Sequence, residues 1–353
     1  ETPQPVIERA IERIRAGDTH YTPAPGRTEI REAIARAHTL RTGQQTAVDN
    51  VVYLSGAQNA LFVASMCLAG PGDEVVTFDP MYPTYPATLE VSGARLVRAP
   101  TGPDFRPDLR ALISLVSERT RAIAWATPNN PTGVVLNETE LSVIGDLARR
   151  FDLWLISDEV YAGLAPGGRV PGLARSLPER VITLGSLSKS HAMTGWRAGW
   201  LVGPREFTVH AESFVMCMLF GLPGFIQEAA ITALAIAPEA ERRIRDFCAA
   251  RLDRFTTGLA GVPHIRAHAP EAGMFMLVDV RDTGLTGYEF MRSLYRCEGV
   301  SVMDGAAFGR QTAGFVRVCF ATGEAEIDAA CARIRRFCSS QLSAAPRRNS
   351  ASP

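Results

Sequence analysis

The chain has 353 residues, 46% of them hydrophobic, which is enough for one large domain and a smaller one with sizeable cores. Its 37 basic and 37 acidic residues cancel, so there is no broad field to attract a nucleic-acid backbone or an anionic membrane. No apolar run reaches the roughly 20 residues needed to span a bilayer.

Residues 1–20 lack the apolar core of a signal peptide, so a cytoplasmic location is expected. From residue 50 to 205 short apolar, β-branched runs alternate with helical patterns. The runs are Val51 to Leu54, Glu74 to Phe78, Ala122 to Ala126, Leu153 to Ser157, Val181 to Leu184 and Ala198 to Val202. This alternation predicts an α/β fold, a mostly parallel sheet with helices on both faces, and ligands gather at the carboxyl ends of such strands. After residue 225 the pattern changes to long helices (Glu239 to Leu259, Glu326 to Cys338) and short strands near Met274 to Val280 and Phe315 to Phe320, which reads as a smaller α+β domain. A Ser-, Ala- and Pro-rich tail over 339–353 is expected to be disordered. The seven cysteines are scattered and odd in number, without a C-x-x-C pair, which argues against a disulfide framework or a zinc site.

Of the 37 basic residues, 36 are arginine and one, Lys189, is lysine. A guanidinium cannot lose its proton near neutral pH, so it cannot act as a nucleophilic amine. A lysine surviving alone is either chance or an amine kept for its chemistry. Lys189 lies in Ser186-Leu187-Ser188-Lys189-Ser190, just after an apolar run, with Arg197 eight residues on. An amine there can form a Schiff base with an aldehyde, and the nearby hydroxyls and guanidinium suit a phosphate.

Other strand ends carry further candidates, each with a plainer reading. Asp158, in Ile156-Ser157-Asp158-Glu159-Val160-Tyr161, is either a helix cap or a carboxylate for a protonated ring nitrogen, and Tyr161 is a phenol or a core aromatic. Pro128-Asn129-Asn130-Pro131-Thr132-Gly133 is a rigid turn that can also project the Asn130 amide. Ser55-Gly56-Ala57-Gln58 joins a strand to an apolar helix and is an ordinary turn or an anion seat of backbone N–H groups. Tyr82 can stack on a flat ring or merely pack.

Together these residues resemble the class I and II aminotransferases of fold type I, which use pyridoxal 5′-phosphate (PLP). The resemblance rests on the ordered set Tyr21, Ser55-Gly56-Ala57, Tyr82, Asn130-Pro131-Thr132-Gly133, Asp158 with Tyr161, Ser186-x-x-Lys189, Arg197 and Arg317, and it covers nearly the whole chain. It implies that Lys189 holds PLP as a Schiff base and, once displaced, shuttles the proton between substrate and cofactor. Asp158 would pair with the ring nitrogen, Tyr161 and Asn130 with the phenolic oxygen, and Tyr82 would stack on the ring. Gly56, Ala57, Gln58, Ser186, Ser188 and Arg197 would surround the phosphate. Arg317 would take the substrate α-carboxylate, with Asn130 beside it. It further implies a homodimer in which Tyr21 reaches the neighbour's phosphate. The domains implied are 1–20 as part of the small domain, 21–225 as the PLP-binding domain and 226–338 as the remaining small domain. The arm and glycine-containing segment that usually precede this region and close over the substrate are expected to lie outside the chain.

Dicarboxylate-specific members carry an extra arginine before the interfacial loop; the corresponding Met216-Cys217-Met218-Leu219-Phe220-Gly221-Leu222-Pro223 has no cation, so aspartate is expected to be a poor donor. Ser186 to Trp200, Cys217 to Gln227 and Gly273 to Leu285 look particularly like the arginine–pyruvate transaminases. The expected activity is therefore ping-pong amino transfer between an L-amino acid, arginine or a guanidino derivative, and a 2-oxo acid. Asp304 is the candidate acid for a cationic side chain, although turn aspartates usually serve the turn. His191 is expected to pack beside the cofactor loop. The competing expectations are a C–S lyase, decarboxylase or oxidase on the same scaffold, or a biosynthetic aminotransferase for a cyclised arginine such as enduracididine. A sensor without turnover would normally carry a preceding DNA-binding module, and none is expected for this chain. No metal site is expected.

Overall fold

The apolar runs become strands because consecutive β-branched and aliphatic side chains can be buried on both faces of a covered sheet. In the computed structural model, which describes residues 1–341, seven strands form one sheet. They are β1 (Val51–Leu54), β2 (Glu74–Asp79), β3 (Arg95–Pro100), β4 (Thr120–Ala126), β5 (Trp154–Asp158), β6 (Val181–Ser186) and β7 (Gly199–Val202), in the order β1-β7-β6-β5-β4-β2-β3. The pairs β2–β4, β4–β5 and β5–β6 are parallel, whereas β7 is antiparallel to both β6 and β1. Every residue of β1, β2, β6 and β7 is buried. Strand β3, which the sequence reading lacked, sits at the edge and alternates exposed arginines with buried Val97 and Ala99.

The helices are α1 (Gln4–Arg15), α2 (Thr28–Thr42), α3 (Ala57–Leu68), α4 (Tyr85–Leu89), α5 (Leu109–Leu115), α6 (Glu138–Phe151), α7 (Arg205–Met218), α8 (Gly224–Ala235), α9 (Ala237–Leu259), α10 (Gly287–Glu298) and α11 (Glu324–Arg336). Their ends follow local chemistry. α6 starts in a capping box between Asn137 and Glu140 and carries Arg149 and Arg150 in its last turn, complementing the helix dipole. Leu155 of β5 packs into one core with Ile144 and Leu147 of α6, while the adjacent Trp154 meets Phe207 of α7, so α6 and α7 lie on opposite faces of the sheet. A second core joins Val51, Tyr53 and Trp200 to α1, α2 and α8.

Four short antiparallel strands, β8 (Arg266–His268), β9 (Phe275–Asp279), β10 (Met303–Asp304) and β11 (Phe315–Cys319), form a second sheet in the order β10-β11-β9-β8. On this sheet's side of the chain Phe290 of α10 meets Phe337 edge-on at 5.4 Å.

The chain divides into a unit of residues 1–78, 84–129 and 134–245 and a unit of 79–83, 130–133 and 246 onward. This differs from the expected division at 20 and 225. Residues 1–20 belong with the first unit because α1 packs on α8, and α8 and the start of α9 belong there because α8 also packs on α2. The short segments join the second unit through Met81 N–H to the Phe308 carbonyl at 2.9 Å and Ala272 N–H to the Gly133 carbonyl at 3.1 Å. Of the expected tail, residues 339–341 complete a π-helical turn from Phe337, and 342–353 lie outside the described residues.

Candidate active site

Strand direction gathers the candidates of the first unit at one edge of its sheet. Asp158 and Ser186 end the parallel neighbours β5 and β6. β7 runs the other way, and its first residue, Gly199, stands opposite both Ser186 and Leu54, the last residue of β1. Segments 55–58, 158–161 and 186–189 therefore leave this edge where Arg197 enters it, at the carboxyl ends of the parallel strands.

The Asp158 carboxylate accepts a hydrogen bond from the Tyr85 hydroxyl at 2.7 Å and from the Val160 N–H at 3.2 Å. Burial raises its pKa, and these two donors oppose the rise. Burial, then the Asp158 charge, holds the Tyr85 hydroxyl well above the usual phenol range. Tyr85 is the residue that sequence reasoning missed; in Tyr82-Pro83-Thr84-Tyr85 nothing separates it from Tyr82 until α4 turns it toward β5. The Lys189 ammonium lies 6.0 Å from the ring centre of the buried Tyr161.

Around the strand ends the residues expected to seat an anion come together. The Ser186 hydroxyl is 2.7 Å from that of Ser188, accepts the Ser188 N–H at 2.9 Å and is 3.1 Å from the Ala198 carbonyl. Arg197, at φ +56°, donates to the carbonyls of Thr194 at 2.8 Å and Ser55 at 3.2 Å. Gly56 precedes α3 at φ +85°, and a Cβ there would meet the Arg197 guanidinium at 2.5 Å. α3 has no side-chain cap, which leaves its first-turn N–H groups, beginning with Ala57 and Gln58, for an acceptor. The Gln58 side chain itself is bonded to Thr84 and Thr88, each at 2.7 Å, so what this residue could offer an anion is its backbone N–H. Tyr21 is 86% exposed, its ring 4.9 Å from that of Phe220, and so projects outward.

His191 is buried beside this loop. Its Nε2 lies 2.9 Å from the Ala233 carbonyl, which requires the proton there, and Nδ1 accepts from Ser190 at 2.8 Å. Burial lowers its pKa to about 4. It is a neutral packing residue.

In the second unit, the Arg317 guanidinium lies 4.1 Å from the ring centre of Phe275 and 4.9 Å from that of Phe308, and donates to the Asn130 amide oxygen at 2.9 Å. Met303 stands directly opposite Arg317 across β10 and β11, so the two share a face, and their side chains touch. Asp304 is the next residue and turns to the other face. Its carboxylate accepts the Ala306 N–H at 3.1 Å and lies against Gly287 at the start of α10, where a Cβ would come within 2.5 Å of it. The strand pleat thus turns Asp304 away from the Arg317 face, where the sequence reading expected a substrate contact, and its carboxylate caps the turn. Tyr82 is 39% exposed.

The donor set fits PLP. Asp158 is a deep carboxylate of raised proton affinity whose bonded partners are neutral, as a ring N–H requires, and the uncapped helix, the serine hydroxyls and Arg197 suit a dianion. Among the described residues no group of three or more metal-ligating side chains is present, and no helix is long and apolar enough to cross a membrane.

Comparison with known proteins agrees. The sequence matches the family model for aminotransferase class I and II over residues 1–334. It is 42% identical over 351 residues to arginine–pyruvate transaminase AruH of Pseudomonas aeruginosa, covering 97% of this chain and 88% of that one. It is 30% identical over 342 residues to an aspartate aminotransferase of Pyrococcus horikoshii, covering 95% and 87%. The crystal structure of an aromatic aminotransferase from Pyrococcus horikoshii superposes with a TM-score of 0.92 at 31% identity, covering 97% of this chain and 93% of that one. The chain belongs to the class I and II aminotransferases of fold type I, a family of pyridoxal-phosphate-dependent enzymes.

Proposed function

We propose that this aminotransferase moves the α-amino group of L-arginine, or of an arginine-derived guanidino amino acid, to a 2-oxo acid such as pyruvate by a ping-pong mechanism. The observation that carries the reading is the 42% identity with an arginine–pyruvate transaminase across 97% of the chain. Relatives named for aspartate or aromatic substrates lie at 27–31%. The cation-free segment Met216 to Pro223 supports the same choice, because a substrate carboxylate there would be desolvated without a partner.

When bound, PLP supplies an electron-accepting ring and an aldehyde that receives and returns the amino group. Lys189 would hold that aldehyde through its amine and, once released, carry the proton between the substrate Cα and the cofactor carbon. Asp158, fixed by Tyr85 and Val160, would keep the ring nitrogen protonated. Tyr161 and Asn130 would bond its phenolic oxygen, and Tyr82 would lie on its face. Ser186, Ser188, Arg197 and the backbone of Gly56, Ala57 and Gln58 would hold the phosphate. Arg317, stacked on Phe275 and Phe308 with Asn130 beside it, would grip the α-carboxylate. A homodimer is part of the reading, with the outward Tyr21 reaching the neighbouring subunit, and so is a cytoplasmic location, which the seven unbridged cysteines suit.

The test is a donor panel on the PLP-loaded enzyme, following the cofactor's absorbance. Arginine alone should convert the aldehyde form to the amine form, and pyruvate should restore it. Equal or better conversion by aspartate or leucine would refute the substrate, and release of ammonia or carbon dioxide in place of conversion would refute transamination.

A further inference from the structure

Along the end of β5, Ser157 and Glu159 alternate with Asp158 and so occupy the opposite face of the sheet from its carboxylate. There Glu159 lines a cavity of about 40 Å³ together with Arg41 of α2, Glu241 of α9, and Ser190 and His191 from the loop that carries Lys189. That volume has room for about two or three water molecules. Glu159 is 6% exposed, and its carboxyl accepts from the Ser157 hydroxyl at 3.0 Å. Arg41 is committed to Glu241 at 2.7 Å, and among the described residues no ion pair reaches Glu159. A carboxyl thus stands beside the loop that carries Lys189, next in sequence to Asp158, with a cavity large enough for water in front of it and, among the described residues, no cation bonded to it.

We propose that Glu159 is a positioning residue: it exchanges a proton with water held in this cavity, and its charge sets the proton affinity of Asp158 and hence the strength of that residue's pairing with the cofactor's ring nitrogen. The proposal rests on the reading that Asp158 faces that nitrogen.

The charged and titratable groups around Glu159 are His38 and Arg41 on α2, Asp158 beside it, His191 on the lysine loop, and Glu241 and Arg245 on α9. Burial lowers the pKa of His38, whose Nε2 lies 2.8 Å from the Gln44 amide oxygen, and holds His191 near 4, so both are neutral near pH 7. Arg41 and Arg245 stay cationic beside Glu241. Burial raises Glu159 to about 7; Arg41 and the Ser157 hydroxyl oppose that rise, and the Asp158 charge adds to it. Glu159 is therefore poised to change charge near neutrality, while Asp158, also raised by burial, lies on the other face of the sheet. Ionised, Glu159 favours a protonated ring; neutral, it relaxes that preference.

Two measurements test this. The first uses the apoenzyme. Glu159 binds its proton more tightly folded, at about 7, than at its ordinary value of 4.5, so its stabilising contribution is complete below the lower value and is lost as pH rises through the higher one. The Tm of wild type should fall relative to Glu159→Gln across that window, and a pH-independent difference overturns the titration. The second follows the pH midpoint of the bound cofactor's absorbance. Glu159→Gln should lower it by about 0.5–1 unit and Glu159→Asp should restore most of the shift, whereas an unchanged midpoint overturns the coupling. If Glu159→Gln does not fold, Arg41→Gln serves: losing the nearest cation should move the Tm decline to higher pH, and an unmoved decline counts against the proposal. Failure of the wild type to bind PLP would sink the cofactor reading while leaving the apoenzyme result to judge Glu159.

Discussion

Replacing Gly56 with alanine tests the anion cradle most severely. At φ +85° and ψ 165° the backbone is in a region nearly reserved for glycine, which costs an L-residue about 1–3 kcal/mol. The new Cβ would lie 2.5 Å from Arg197 Nη2 and 3.1 Å from its Cζ, so the guanidinium must move. Its bonds to the Thr194 and Ser55 carbonyls are exposed and together contribute about 1 kcal/mol. A charge-assisted contact to phosphate is worth about 1.5–3 kcal/mol, or roughly 10- to 100-fold in affinity. Titrating the apoenzyme with PLP by fluorescence should therefore show binding weakened by that factor, with a Tm drop of several degrees. Gly17→Ala is the control, because Gly17 has φ +79° with nothing within 4 Å of an added Cβ; it should lower Tm and leave PLP affinity alone. PLP affinity for Gly56→Ala within twofold of wild type would refute the cradle.

Arg317→Lys removes a planar fork stacked between Phe275 and Phe308, and should lower kcat/KM for arginine and for pyruvate by about 100-fold in steady-state assays, with PLP affinity little changed. Asp304→Asn keeps an acceptor for the Ala306 N–H, so urea unfolding should move by less than about 0.5 kcal/mol and the preference for arginine over leucine should be unaltered. Aspartate should be a donor at least about 30-fold poorer than arginine in kcat/KM, from a desolvation cost near 2 kcal/mol for its side-chain carboxylate.

Much of the fold is legible because burial on both faces demands uninterrupted apolar runs: β1 falls on Val51 to Leu54 as expected, and β4 to β7 differ from their runs by one or two residues. β3 escaped notice because an edge strand is wetted, and Arg95 and Arg98 interrupt its pattern. Strand ends carrying Lys189, Asp158 and Ser186 could be found by position alone, since a parallel sheet delivers them to one edge. What sequence could not give is side-chain direction. Tyr85 reaches Asp158 only through the placement of α4, and Asp304 faces away from Arg317 because a single step along β10 reverses the face. The division of the chain was equally hidden: α1 and α8 each present an ordinary helical pattern, and their packing on each other decides where residues 1–20 belong.

The proposed role of Lys189, the one lysine of the chain, is open to direct labelling. PLP-loaded enzyme should be reduced with borohydride, digested and mapped by mass spectrometry, with Lys189→Arg treated in parallel. A stable cofactor adduct should appear on the peptide containing Lys189 and none in the variant, which should not convert arginine. An adduct on any other peptide, or a variant that still turns over arginine, would contradict that role.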